Sequence, residues 1–239
     1  MRGPTRREAL AVFGVAGAGA WTVPSILTVA GAGSGSQPPP DPCLLCGTNL
    51  VGNPSATDYA PDAITHAEYD PNVGGVGAAP PATPDGWTTT DGFRVVTYGS
   101  VEYPATPPPD AGDVLFSGSL DSGSASPGTA TRTALVGACA EEIDTGTVPY
   151  AMSAYLGGAS TYGDTMTFTA EFRNAADASV GTAVLGPVAA SSGFDLHSTS
   201  GVVPVSTRSI VFTLTATKVE PTHARNTAAA DLLSFSICP

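Results

Sequence analysis

Residues 208–217 read Arg208-Ser209-Ile210-Val211-Phe212-Thr213-Leu214-Thr215-Ala216-Thr217. Ile210, Phe212, Leu214 and Ala216 fall on one side, Val211 and the threonines on the other. Side chains alternate across a strand, so this pattern describes a sheet that covers a core with one face and meets water with the other. The stretch 165–172 repeats it, with Met166, Phe168, Ala170 and Phe172 on the apolar side.

Shorter segments of the same texture lie on either side. They are residues 49–51, 93–98, 113–117, 131–136, 148–156, 180–185, 194–199 and 232–237. Gly, Pro, Asp and Ser separate them, which is the punctuation of turns. No stretch of useful length keeps a helical period, although Glu141-Glu142-Ile143 can make a single turn. Ten short strands with turns between them predict an all-β sandwich or barrel. Residues 59–84 are rich in proline and alanine without alternation and read as a long irregular loop.

Composition narrows the function classes. Across 239 residues, 9 basic side chains face 21 acidic ones, a net charge of −12. That balance excludes a nucleic-acid binder, which needs cations to displace the counterions of phosphate. With 42% hydrophobic and 13% charged residues, the chain is too apolar for a disordered acidic tail.

Residues 1–8 carry Arg2, Arg6 and Arg7, and the 25 residues from Ala9 to Gly33 carry no charge. A basic start, an apolar run and small residues form the layout of an export signal. Thr5-Arg6-Arg7-Glu8-Ala9-Leu10 resembles a twin-arginine motif, and cleavage is expected after Ala32. An uncleaved anchor is the alternative, but five glycines and Pro24 weaken the run as a spanning helix. Removal of residues 1–32 takes Arg2, Arg6, Arg7 and Glu8 with it. Nine basic residues become six, 21 acidic become 20, and the net charge becomes −14. Residues 33–45 read as a Gly/Ser/Pro linker, and residues 46–239 as the sandwich domain. The expected location is secreted, with membrane contact only through the export segment.

Four cysteines stand at Cys43, Cys46, Cys139 and Cys238. An even count in an exported chain points to disulfides rather than metal. If the first and last strands of a sandwich pair, Cys46 meets Cys238 and Cys43 is left for Cys139. The competing arrangement is a local Cys43–Cys46 loop with Cys139–Cys238.

Several motifs, in order, carry a family resemblance. Asn49-Leu50-Val51-Gly52-Asn53-Pro54 resembles the opening strand of jelly-roll carbohydrate-binding modules and other galactose-binding-domain-like sandwiches. Asp85-Gly86-Trp87, Val95-Val96-Thr97-Tyr98-Gly99 and the closing Ala230-Asp231-Leu232-Leu233-Ser234-Phe235 are similar to later motifs of that pattern. The resemblance spans residues 48–237 and implies a jelly-roll β-sandwich of the galactose-binding-like class. It also implies a structural calcium between the first loop and the last strand. The acid expected soon after the opening motif is replaced by Thr57, with Asp58 beside it, and Asp231 matches the closing acid. Asp58 and Asp231 are therefore the candidate metal ligands.

Sugar binding uses aromatic faces flanked by hydrogen-bonding groups. Tyr155 and Tyr162 bracket the Gly-rich stretch 157–161, and with Asp164 they are the candidate ligand-binding residues. Trp87 and Tyr98 read better as core, and Arg173 is a possible polar partner. Glu141, Glu142 and Asp144 are acids in a Gly/Thr-rich connection and read as a solvated turn rather than a catalytic pair. No GxSxG, P-loop or HExxH motif is present. The expected function is a non-catalytic exported module that binds a neutral glycan or cell-wall polymer. A structural or adhesive surface protein is the first alternative, and a secreted glycan hydrolase the second.

Overall fold

The computed structural model describes residues 43–57, 84–98, 107–118, 127–158, 163–191, 193–219 and 226–238. Asp58, Tyr162, the export segment and residues 33–42 of the linker lie outside them. Ten strands follow in chain order: β1 (Thr88–Thr89), β2 (Arg94–Thr97), β3 (Val114–Ser117), β4 (Gly128–Leu135), β5 (Pro149–Gly158), β6 (Thr165–Arg173), β7 (Ser179–Ala189), β8 (Gly193–Val202), β9 (Ser209–Thr217) and β10 (Ala228–Ile237). A short helix, α1 (Ala140–Asp144), joins β4 to β5.

The strands form two five-stranded antiparallel sheets of a jelly-roll sandwich. Their orders are β1-β4-β9-β6-β7 and β2-β3-β10-β5-β8. The inner faces are set by the alternation seen in the sequence. Met166, Phe168, Ala170 and Phe172 of β6 and Ile210, Phe212, Leu214 and Ala216 of β9 are all buried. From the other sheet come Tyr150, Met152, Ala154 and Leu156 of β5 and Phe235 and Ile237 of β10. The Tyr150 and Phe235 rings stack at 5.3 Å, and Phe212 meets Phe235 at 5.3 Å. Trp87 is buried against Phe116 at 5.2 Å, as a core reading requires.

Two segments differ from the sequence expectation. Residues 49–51 do not form a strand. They run beside β10 through single bonds, with Leu50 N–H donating to Phe235 O at 2.8 Å. The Asn49 side chain bonds Leu233 O and Phe235 N. The left-handed residues Gly52, Asn53 and Ala56 then turn the chain away. The described fold also begins earlier than Cys46, because Cys43 is itself buried.

The disulfides join Cys43 to Cys139 (Cα–Cα 5.0 Å) and Cys46 to Cys238 (4.9 Å). Of the pairings open in the sequence, the structure has the one that ties the first segment to the last strand. At the far end of α1, Asp144 pairs with Arg208 at 2.6 Å and accepts Ser206 N–H. The Arg208 bond holds its carboxyl below the ordinary carboxylate value.

Candidate functional site

Most described aromatic rings are core. The three that are not buried, Tyr98, Tyr155 and Phe194, all lie on the outer face of the second sheet. Strand register explains how. Residues directly opposite each other across a sheet point the same way. The outward residues of β8, β5 and β10 therefore fall into rows. The first is Phe194, Gly157, Ala229 and the second Leu196, Tyr155, Asp231. The third is Ser198, Ser153, Ser234 and the fourth Ser200, Ala151, Ser236.

Tyr98 follows β2 and reaches this face from the other side. Its ring meets Phe194 edge-on at 6.0 Å and its hydroxyl donates to Asp231 Oδ2 at 2.6 Å. Beneath it Val96, Leu115 and Ala229 form a second, small apolar cluster, packed by Tyr98 and Phe194. Gly157 is the only residue type that fits its row, because a Cβ there would strike the carbonyl oxygen of Gly193. The result is an aromatic half of the face beside a half lined by serines. Leu196, 58% exposed, marks the boundary.

The candidates from the sequence divide. Tyr155 is half-buried on this face, beside Leu196 and Asp231. Tyr162 lies outside the described residues. Asp164 is fully buried. Its carboxylate accepts Val219 N–H (3.0 Å), Thr227 N–H (2.9 Å) and the Thr227 hydroxyl (3.1 Å). Its hydrogen bonds tie Val219 to Thr227 inside the protein. Arg173 is on the first sheet, paired with Glu171 at 2.7 Å and Asp177 at 3.1 Å. The sequence does not point to Phe194 on this face, and Tyr98, which reads better as core, stands on it. β8 is an edge strand, exposed along much of its length, so its alternation is faint. His197 sits on the inner side of β8, opposite Ala154.

Asp231 is completely buried. Burial pushes its carboxyl up to about 6, against bonds from Tyr98, Leu232 N–H and Ser55 that lower it. Burial and the neighbouring acid push the Tyr98 phenol upward, so it stays protonated and donating. The resemblance places a calcium here, and calcium takes six or more oxygen ligands, carboxylates among them. Asp231 instead accepts the Leu232 N–H (N···O 2.7 Å) and the Tyr98 hydroxyl (O···O 2.6 Å). No group of three or more His, Cys, Asp or Glu side chains stands close enough to hold a metal among the described residues. At Asp231 itself, the described neighbours within bonding distance are hydrogen-bond donors.

No protein-family model matches the chain, and no curated protein sequence does. Among solved structures, it is similar to the enzymatically active domain of tailspike protein 4 of bacteriophage CBA120. There the identity is 13% and the TM-score 0.48, over 79% of this chain and 21% of that one, so the chain spans about a fifth of that domain's length. It is similar to a β-1,4-galactotriose-bound module named TmCBM61, at 11% identity and TM-score 0.41, over 79% of this chain and 97% of that one. It is also similar to the CBM22-1 xylan-binding domain of Paenibacillus barcinonensis Xyn10C. That match has 11% identity and TM-score 0.36, over 65% of this chain and 88% of that one. Two disulfides fit an extracellular protein. No helix among the described residues is long and apolar enough to cross a membrane.

Proposed function

We propose that the protein is an exported, non-catalytic module that binds an uncharged glycan or cell-wall polymer on the outer face of its second sheet. One observation carries the reading: the described aromatic side chains that escape the core gather on that face, next to rows of serine hydroxyls. A sugar ring presents an apolar face to an aromatic side chain and hydroxyls at its rim, and the two halves of this surface suit those two needs. No exposed charge interrupts these rows, since Asp231 is buried beneath Tyr98. An uncharged partner also suits a chain with a net charge of −12.

Glu141, Glu142 and Asp144 gather on α1 rather than on the aromatic face, and Asp144 is committed to Arg208. That placement supports a module that binds without cleaving.

Affinity electrophoresis through gels containing soluble xylan, galactan, mannan or β-glucan tests the proposal. Retardation by at least one polymer is expected, with Tyr155→Ala weakening it tenfold or more, about 1.4 kcal/mol. Tyr155 is half-buried and outside the core, so its melting temperature should stay close to wild type. Equal retardation of wild type and variant would remove Tyr155 from the site.

A further inference from the structure

The first segment and the last strand are already fastened by the chain's own groups. Gly47 N–H donates to Ile237 O at 2.8 Å, and Leu50 N–H to Phe235 O at 2.8 Å. Leu233 N–H donates to Pro54 O at 3.0 Å. Asn49 spans two residues of β10, giving its amide N–H to Leu233 O and taking Phe235 N–H on its side-chain oxygen. Cys46–Cys238 closes the far end of the same seam.

At the near end stands Asp231, on the bulge where β10 slips register and Leu232 turns to φ 48°. Ser55 of the first loop, Leu232 N–H and the Tyr98 hydroxyl all bond its carboxylate. Each partner presents a hydrogen to the acid, whereas a cation needs lone pairs converging on a shared point. The Tyr98 phenol occupies one lone pair of Asp231 Oδ2 at 2.6 Å.

We propose that the Tyr98 hydroxyl stands in for a metal at this seam, so that Asp231 ties the first loop to the last strand through hydrogen bonds and the fold holds without calcium. The inference is independent of the glycan reading, because Tyr98→Phe keeps the ring on the aromatic face and removes only the hydroxyl.

Melting temperatures of the full-length protein in excess EDTA and in millimolar calcium test it, with calcium calorimetry alongside. Wild type should melt at the same temperature in both buffers and give no saturable heat. Tyr98→Phe leaves a buried acceptor short of a donor and should melt about 2–8 °C lower in both. Ser55→Ala, a milder change to the same acid, should move the melt the same way by less. A saturable calcium heat with a higher melting temperature would overturn the proposal. So would a Tyr98→Phe melt equal to wild type, or one restored by calcium.

Discussion

A buried carboxylate decides the behaviour of the second sheet at the residue scale. Asp231 has a carboxyl raised from 3.8 to about 6, burial being the main cause. The folded protein therefore holds the proton more tightly than the unfolded chain. The stability from that proton is fully present below the unfolded value and is lost as pH rises through about 6. A rise from 3.8 to about 6 corresponds to ~3 kcal/mol. Asp231→Asn keeps the shape and loses the titration. Urea unfolding from pH 3.5 to 7.5 should show wild type losing stability relative to this variant across that window. Parallel curves would mean that the acid is not held as the geometry describes. None of this is legible from the Ala230–Phe235 motif alone, because Tyr98 lies 133 residues away in sequence.

Strands set what the residues can do at the element scale. β6 and β9 were plain in the sequence because both are interior strands with one fully buried face, so their alternation is strict. β1 was invisible because it is two residues long, and its pairing with β4 owes nothing to a local pattern. Residues 49–51 look like a strand because Leu50 and the β-branched Val51 form a short apolar pair between turn residues. The turn conformations of Gly52 and Asn53 and the side chain of Asn49 place them along β10 instead. The aromatic face was half legible for a related reason. Tyr155 stands on a well-patterned strand, whereas Phe194 and Tyr98 join it only through register and tertiary approach. The seam between the first segment and β10 carries its own prediction. Cys46 and Cys238 are 192 residues apart. Replacing both with serine frees a long loop in the unfolded chain and should lower unfolding free energy by about 2–5 kcal/mol. Chemical denaturation of the oxidised pair of proteins measures it, and an unchanged midpoint would show that the hydrogen-bonded seam suffices alone.

At the scale of the whole molecule, charge and fold divide the surface. The chain is acidic, with a pI near 4.3, yet the rows of β8, β5 and β10 present aromatic, aliphatic and serine side chains. The net negative charge opposes phosphate polymers, and the neutral hydroxylated polymer proposed as partner matches the chemistry of these rows. The most direct measurement is amide chemical-shift mapping on isotopically labelled protein, titrated with short oligosaccharides of whichever uncharged polymer retards it in the gel. Shifts concentrated in residues 153–157, 194–200 and 229–236 are the predicted result. Shifts confined to the first sheet or to α1, or no retardation by any uncharged polymer tested, would contradict the assignment of this face as the binding site.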